Sequence, residues 1–250
     1  MPQTRSILVT GGSRGIGAAC ARACARRGWA VGVNYAHDAA AAQALVDELQ
    51  GLGVQALALQ ADVADEAQVL AMFARVDAEL PPLWGLVNNA GIVGPAIRVE
   101  ALDLARLQRI FAVNVAGSFL CAREALRRLS TRHGGHGGSI VNLSSVASTL
   151  GSAGIYVDYA ASKGAIDTFT VGLAREVAAE GVRVNAVRPG IIDTEIHAGA
   201  GMTDRLQQAA AGIPIGRVGR ADEIALGITW LLDPENTYTT GAILDIAGGR

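Results

Sequence analysis

Short β-branched runs alternate with longer helical stretches along almost all of this 250-residue chain. No other feature constrains the fold as much, because a helix between two strands returns the chain across the sheet and makes those strands parallel. We therefore predict an α/β fold, a single domain over residues 1–250, with helices on both faces of a doubly wound, seven-stranded parallel sheet. The predicted strands cover residues 6–10, 30–34, 56–60, 85–88, 139–143, 183–187 and 243–246. The predicted helices cover residues 15–27, 39–49, 66–79, 104–129, 159–179 and 222–232.

Composition and charge exclude several classes of partner. Half of the residues are apolar, which is enough for one large core in a chain of this length. The net charge of -2 and the pI near 6.1 leave no basic stripe for nucleic acid. No uncharged apolar run approaches the roughly 18 to 20 residues that span a bilayer, and the first residues do not resemble a signal peptide. We expect a cytoplasmic protein with no nucleic-acid or membrane partner.

The cysteines and histidines do not form a recognisable metal or disulfide pattern. The three cysteines, Cys20, Cys24 and Cys121, are odd in number and lack a CxxC pair, so they are interpreted as small buried hydrophobes. The four histidines fall in loops without ligand spacing and are interpreted as surface residues: His37, His133, His136 and His197. We therefore expect no metal site.

A glycine-rich loop follows the first predicted strand and leads into a helix. Its glycines permit a tight turn and the close approach of a pyrophosphate to unpaired N–H groups at the helix N-terminus. Glycine triplets alone are weak signals, but the strand–loop–helix setting favours a dinucleotide-binding, Rossmann-type sheet. The predicted cofactor-binding residues of the loop are Gly11, Ser13, Arg14, Gly15, Ile16 and Gly17.

The end of the second strand bears on which dinucleotide binds. NAD-binding folds place an acidic residue there for the ribose 2′-hydroxyl, whereas this chain has Asn34 and Tyr35. Arg14 would supply a positive charge for a 2′-phosphate, with Asn34 donating a hydrogen bond. NADPH is therefore favoured over NADH. The alternative is that Arg14 is only a solvated charge and that Asp38, slightly later, binds the ribose.

Tyr159 and Lys163 stand four residues apart and hence on one face of a predicted helix. A free tyrosine is a poor base near neutrality, because its pKa is about 10. An ammonium at about 4 Å contributes on the order of 4 kcal/mol at an effective dielectric near 20, which lowers a pKa by at most about three. The alternative is a packed tyrosine whose lysine points to water. Tyr156 has Ala160 at the corresponding position and lacks such a partner.

Polar residues also follow the fourth and fifth predicted strands, at the sheet edge where open parallel sheets bind ligands. Ser144 and Ser145 offer hydroxyls that could polarise a carbonyl. Asn114 lies inside the predicted helix 104–129, where an amide can also simply bend the helix. Asn89, Ala90 and Gly91 end the fourth strand and are predicted to bind the cofactor, although they could equally form an Asx turn.

Several of these motifs together resemble the short-chain dehydrogenase/reductase family, and the resemblance covers essentially the whole chain. The motifs are TGGSRGIG at residues 10–17, the adenine-contacting pair Asp62 and Val63, NNAG at residues 88–91, and the pair Tyr159 and Lys163. The resemblance implies that Ser145 orients the substrate carbonyl and that Tyr159 passes the proton. It implies that Lys163 holds the nicotinamide ribose and lowers the tyrosine pKa, and that Asn114 keeps a water behind Lys163. The interval from Ser145 to Tyr159 is one residue longer than the commonest family spacing.

The resemblance also assigns the segment after the sixth strand to the cofactor. Pro189, Gly190, Ile192 and Thr194 resemble the family's PGxxxT segment, which contacts the nicotinamide carboxamide. This segment opens a polar stretch, residues 191–214, that we interpret as a substrate lid because long loops in compact domains are usually functional. The resemblance further implies a homotetramer packed through the predicted helices 104–129 and 159–179, although their apolar stripes could equally be core.

The resulting expectation is an NADPH-dependent oxidoreductase that interconverts a carbonyl and a secondary alcohol on a small molecule. The family members most similar in pattern reduce 3-oxoacyl thioesters or oxidise sugars such as glucose. Arg127, Arg128 and Arg132 could receive an acidic carrier protein, but Glu176 and Glu180 would repel it. A small free carbonyl compound is therefore favoured. The alternative function is a catalytically silent NADPH-binding sensor or scaffold.

Overall fold

Seven parallel strands form one sheet in a computed structural model that describes residues 5–193 and 210–250. The strand order is β3-β2-β1-β4-β5-β6-β9, which confirms the predicted Rossmann-type sheet with helices around it. The strands of this sheet are β1 Ser6–Val9, β2 Ala30–Tyr35, β3 Ala56–Gln60, β4 Leu83–Asn88, β5 Gly138–Leu143, β6 Val182–Pro189 and β9 Ile243–Ile246. A separate short pair consists of β7 Ile192–Asp193 and β8 Gly219–Arg220.

The helices cover both faces of the sheet. They are α1 Gly15–Arg26, α2 Ala39–Gly51, α3 Glu66–Glu79, α4 Leu104–Phe111, α5 Gly117–Leu129, α6 Ala147–Leu150, α7 Val157–Val177 and α8 Ala221–Leu232. Side chains alternate along β1, so Ile7 and Val9 join a core with α1, α2 and α8, while Leu8 joins a core with α3, α5 and α7. All three cysteines are buried and free, as predicted. No helix in the described ranges is long and apolar enough to cross a membrane.

The strand order reverses between β1 and β4. The chain builds outward from β1 to β3 and then returns to the other side of β1 for β4. Loops that leave neighbouring strands at such a reversal diverge to opposite faces, and a crevice forms at the carboxyl ends of those strands. The glycine loop follows β1 and residues 89–91 follow β4, so both predicted motifs border this crevice.

The predicted helix 104–129 is in fact interrupted. Between α4 and α5, residues Ala112–Ala116 form a π-helical turn that contains Asn114. The Ser118 hydroxyl donates to the Asn114 carbonyl (3.2 Å), and the Asn114 side chain is bound by groups outside the helix. Single π turns of this kind are frequent at functional sites. The apolar periodicity alone did not reveal this turn, because tertiary hydrogen bonds impose it.

Other differences are smaller. The structure adds the short helix α6 and the β7–β8 pair, neither of which was predicted. β6 extends to Pro189, two residues beyond the prediction, because β9 pairs with its last four residues. Most of the predicted lid, residues 194–209, lies outside the described residues, so the lid stays a prediction.

Candidate active site

The glycine loop after β1 has backbone positions that only glycine fits. Gly11 and Gly15 have φ angles of +58° and +52°, a region that disfavours a side chain. A Cβ atom on Gly17 would lie 2.4 Å from the Gly11 carbonyl oxygen and 2.9 Å from the Gly12 Cα. The loop backbone therefore packs directly on the first turn of α1.

The N-terminus of α1 is open to an anion. Arg14 occupies the N-cap position in an extended conformation, and its side chain makes no capping hydrogen bond. The first N–H groups of the helix therefore have neither an intrahelical acceptor nor a capping side chain from Arg14. A pyrophosphate is the group that such a glycine loop and helix end accommodate, so the residues present fit a dinucleotide.

Asn34 has a different role from the one predicted. Its side chain is buried, its Nδ2 donates to the carbonyls of Leu59 (3.1 Å) and Ala61 (3.0 Å), and its Oδ1 accepts from Gly11 N–H (3.0 Å). The prediction that Asn34 donates to a 2′-phosphate is corrected, because both amide hydrogens already have acceptors. Asn34 instead holds the glycine loop against β3.

The other candidate cofactor-binding residues at this edge lie in the glycine loop, in the first turn of α1, at the end of β2 and at the start of α2. Tyr35 is half-buried at the end of β2, and Arg14 is exposed. Asp38, the alternative ribose ligand, is the N-cap of α2 and accepts from Ala41 N–H (3.0 Å). Ser13 and Ile16 are half-buried in the loop and in the first turn of α1.

Asp62 and Val63 are anchored beside the same crevice. The Asp62 carboxylate accepts from Ala64 N–H (3.0 Å) and forms an ion pair with Arg109 (2.9 Å). Val63 contacts α5 so closely that a Cβ on Gly117 would lie 2.7 Å from its Cγ2. The predicted adenine-contacting pair is thus positioned by α4 and α5.

Residues 88–91 tie β4 to the glycine loop and to β5. The Asn89 amide donates to the carbonyls of Thr10 and Gly11, both at 2.8 Å, and the Thr10 hydroxyl accepts from the N–H groups of Asn89 and Ala90, both at 3.0 Å. Asn88 donates to the Asn142 side chain (2.9 Å). These bonds make this strand end a structural junction that borders the crevice.

The structure distinguishes the two serines after β5. The Ser144 hydroxyl is buried and donates to the Lys163 carbonyl (3.2 Å), which joins β5 to α7. The Ser145 hydroxyl accepts from Ala147 N–H (3.1 Å) and lies beside the Tyr159 side chain, close enough to lower the pKa of its phenol. Ser145 is therefore the serine beside Tyr159, and the extra residue in the interval does not separate them.

Lys163 is buried and reaches back toward β5. Its Nζ donates to the Leu143 carbonyl (2.6 Å) and lies 5.6 Å from the centroid of the Tyr159 ring. A Cβ on Gly91 would lie 3.6 Å from this Nζ and 3.4 Å from the Oδ1 of Asn114, so these groups meet at the end of β4. The alternative of a lysine that points to water is excluded.

The electrostatic balance at Tyr159 differs from the prediction. Burial raises the pKa of Tyr159 above its usual value, and the hydrogen bond with Ser145 opposes that rise. Burial also lowers the pKa of Lys163 to about 8, with the charge of Asp167 acting in the opposite direction. The predicted lowering of the tyrosine pKa by Lys163 is therefore corrected, since the ammonium bonds Leu143 and is itself poorly stabilised.

The Asn114 side chain joins the π turn to the segment after β4 and to α7 through hydrogen bonds. Its Oδ1 accepts from Ile92 N–H (2.8 Å), and its Nδ2 donates to the Ile92 carbonyl (3.0 Å) and to the Ser162 hydroxyl (3.0 Å). These bonds explain why a π turn interrupts the helix at this residue. Whether Asn114 also holds a water behind Lys163 stays a prediction.

The segment after β6 approaches the same edge. Gly190 N–H donates to the Ile246 carbonyl (3.0 Å), and a Cβ on Gly190 would lie 2.8 Å from the Ala247 Cα. Pro189 and Ile192 are buried on either side, whereas Thr194 lies outside the described residues. His197 also falls there, and the other three histidines are exposed. The described ranges contain no cluster of metal-ligating side chains.

Two ion pairs that lie next to the site were not predicted from the sequence. Arg106 on α4 binds Asp158, the residue before Tyr159, with an Nε–Oδ2 distance of 2.7 Å, and also donates to the Pro95 carbonyl (2.7 Å). Arg188 at the end of β6 binds Asp167 on α7 (2.8 Å). Pairs separated by 52 and 21 residues leave no local pattern in a single sequence.

Comparison with known proteins agrees with this geometry. The family model described as enoyl-(acyl carrier protein) reductase matches residues 11–250. The uncharacterized oxidoreductase YgfF of Escherichia coli is 53% identical over 97% of this chain and 98% of its own. A cis-4-hydroxycyclohexanecarboxylate dehydrogenase of Sinomonas cyclohexanicum is 39% identical, covering 98% and 96% of the two chains. A 3-oxoacyl-[acyl-carrier-protein] reductase of Staphylococcus aureus is 36% identical, covering 100% and 99%.

A solved structure of a related protein is also similar to this chain. A short-chain dehydrogenase from Burkholderia cenocepacia in complex with NADP superposes with a TM-score of 0.90 at 37% identity, covering 99% of this chain and 97% of that chain. The protein belongs to the short-chain dehydrogenase/reductase family and is an NAD(P)-dependent oxidoreductase.

Proposed function

We propose that this protein is an NADPH-dependent reductase of small carbonyl compounds, which also runs in the direction of alcohol oxidation, with Tyr159 as the proton-transfer residue. The observation that carries this proposal is the grouping of the Ser145 hydroxyl, the Tyr159 hydroxyl and the Lys163 ammonium at the carboxyl end of β5. This grouping borders the crevice that the glycine loop and residues 89–91 form.

Each side chain in the group has a task that its contacts support. Ser145 donates a hydrogen bond to the substrate carbonyl oxygen and holds it beside Tyr159. Tyr159 then gives its proton to the oxygen as negative charge develops there. Once that oxygen is protonated, the single O–H of Ser145 is free to turn and donate to the phenolate that remains. Lys163 holds the cofactor ribose next to this oxygen, and Asn114 keeps the π turn closed against Lys163 and Ser162. The nicotinamide, when bound, supplies the hydride.

NADPH rather than NADH is the cofactor we infer. The exposed Arg14 stands at the N-cap of α1, where a 2′-phosphate on the adenine ribose would find a cation. No carboxylate occupies positions 34–37, and Asp38 is engaged in capping α2. The NADP complex of the Burkholderia relative supports the same preference.

A free carbonyl compound is a better candidate substrate than a carrier-bound thioester. The arginines that could receive an acidic carrier protein already have anionic partners: Arg127 binds Glu124 (2.7 Å), and Arg128 binds Asp77 (2.6 Å). Arg132 lies 3.9 Å from Glu180, and Glu176 is exposed nearby on α7. This surface therefore offers little net positive charge to an acidic partner.

We also propose a homotetramer packed through α4, α5 and α7. Phe119 on α5 is 48% exposed and stacks on Phe169 of α7, with ring centroids 3.8 Å apart. Leu104 and Leu107 expose further apolar surface on α4. Exposed apolar side chains on these helices favour association with other copies. The cytoplasmic location stays a prediction from the sequence.

The test is oxidation of NADPH and NADH by the purified protein over ketones, diketones and 3-oxoacyl thioesters, together with reduction of NADP+ and NAD+ over aldoses. We expect turnover of one class of free carbonyl compound, faster with NADPH. Turnover confined to 3-oxoacyl thioesters would overturn the substrate proposal. Tight NADPH binding with no turnover across the panel would instead favour the sensor or scaffold function.

A further inference from the structure

A second charged pair lies one helical turn beyond Lys163. Asp167 follows Lys163 by four residues on α7, so both side chains occupy the same face. Arg188, at the end of β6, donates from Nε (3.0 Å) and Nη2 (2.8 Å) to Oδ2 of Asp167. The Asp167 side chain is only 12% exposed, and its Oδ1 is buried without a hydrogen-bond partner. This carboxylate is thus incompletely compensated and faces the interior.

Within residues 5–193 and 210–250, few other charges surround Lys163. On α7, the titratable neighbours of Lys163 are Tyr159 and Asp167. On β6, the charged residue is Arg188, and it is paired with Asp167. β5 and the π turn present uncharged oxygens, the Leu143 carbonyl and the Asn114 amide. Asp158, at the start of α7, is already paired with Arg106. The charge balance at Lys163 therefore depends on Asp167.

We propose that Asp167 is a positioning residue that keeps the buried Lys163 side chain in its ammonium form, and that Arg188 limits the strength of this effect. Burial disfavours any charge on Lys163, whereas a nearby carboxylate favours it. Arg188 holds that carboxylate of α7 against the end of β6 and partly neutralises it. The consequence of this inference rests on the proposed function, in which the Lys163 ammonium is the charged donor that holds the cofactor ribose.

The direction of the pKa of Lys163 agrees with this arrangement. Burial lowers that pKa to about 8, and the charge of Asp167 holds it above the value that burial alone would give. Lys163 therefore begins to lose its proton just above neutral pH, and removal of the Asp167 charge would move that loss into the neutral range.

The sequence makes the test unusually direct. Lys163 is the only lysine of the chain, since every other member of its 21 lysines and arginines is an arginine. Protein labelled with ¹³C at the lysine ε-carbon therefore gives one side-chain signal, whose pH dependence reports the protonation of Lys163. The measurement needs neither cofactor nor substrate, so it can fail independently of the proposed function.

Two substitutions break the same ion pair and are expected to shift the titration midpoint in opposite directions. Asp167→Asn removes the anion and should lower the midpoint from near 8 by about one pH unit, a tenfold change in the protonation equilibrium. Arg188→Met leaves the anion and removes the opposing cation, so the midpoint should rise. Asp245→Asn is the matched control, because Asp245 lies 3.5 Å from Arg188 on its exposed side and is itself 56% exposed.

An unchanged midpoint in Asp167→Asn would overturn the proposal, and so would shifts of the same sign in both variants, which would indicate a purely structural pair. If Arg188→Met fails to fold, Asp167→Glu is used in its place. This variant retains the negative charge, so the Lys163 titration midpoint should stay near that of the unchanged protein. A decrease in the midpoint as large as that of Asp167→Asn would contradict the inference. Should the enzyme be active, the alkaline limb of its kcat/KM profile is expected to move with the midpoint.

Discussion

The adjacent residues Ser144 and Ser145 differ by one position, and we propose a structural role for the first and a catalytic role for the second. Ser144 is buried and donates to the Lys163 carbonyl, while Ser145 lies beside Tyr159. Ser145→Ala should reduce kcat by roughly 100-fold or more, because a positioned donor at the reacting oxygen is lost, with little change in the unfolding midpoint. Ser144→Ala should instead lower the free energy of unfolding by about 1 kcal/mol. Steady-state rates and denaturant titrations of both variants check this, and a reversed pattern would reject the assignment of Ser145.

Arg14 allows a second prediction about a single residue. Arg14→Ala should weaken NADPH binding by roughly tenfold or more, since a charge-assisted hydrogen bond contributes about 1.5–3 kcal/mol, and should leave NADH binding nearly unchanged. Fluorescence titrations with both cofactors measure the difference. Arg22→Ala is the matched control, because Arg22 is on the same helix and pairs with Glu48 on the surface (2.8 Å). An unaltered cofactor preference in Arg14→Ala would mean that the loop has been misinterpreted.

At the scale of the element, the junction between the glycine loop and α1 depends on Gly17. A Cβ there would lie 2.4 Å from the Gly11 carbonyl oxygen, so Gly17→Ala must displace the loop backbone. We expect a loss of about 1–3 kcal/mol in the free energy of unfolding together with weakened binding of both cofactors. Gly51→Ala at the end of α2 is the control, since no heavy atom lies within 4 Å of its added Cβ. Thermal unfolding with and without NADPH distinguishes them, and equal behaviour of the two variants would contradict the close packing.

The elements also show what a single sequence can predict. The seven sheet strands follow from apolar runs and glycine punctuation, which are local features. The π turn at Asn114 does not follow, because bonds to Ile92 and Ser162, 22 residues before and 48 residues after it, impose it. Asn34 was assigned to the cofactor for a similar reason: its position at a strand end was visible, but the buried carbonyls that occupy its amide were not.

At the scale of the whole molecule, the exposed apolar side chains of α4, α5 and α7 predict association. Light scattering should return about four times the 25.7 kDa chain mass. Phe119→Glu should reduce that mass, because it places a charge where Phe119 and Phe169 stack. A monomer mass for the unchanged protein would contradict the tetramer proposal, and the exposed Phe119 would then be an ordinary surface residue.

The catalytic motifs were predictable for a reason that also belongs to the whole molecule. Parallel strands bring their carboxyl ends to one edge, so Gly11, Asn89 and Ser145 converge there although they are far apart in sequence. The order of motifs along the chain therefore indicated the site. The ion pairs that surround it, Arg106 with Asp158 and Arg188 with Asp167, depend on packing between helices and strands and became visible only in the structure.

The central claim is that Tyr159 transfers the proton, and the comparison of Tyr159→Phe with Tyr156→Phe tests it most directly. Tyr156 precedes α7 and lacks a lysine four residues later, so it is a matched control. With a carbonyl substrate from the panel, Tyr159→Phe should abolish NADPH oxidation while the Kd for NADPH stays within a few-fold, and Tyr156→Phe should retain turnover. Retained turnover in Tyr159→Phe, or a loss of NADPH binding as large as the loss of turnover, would contradict the account.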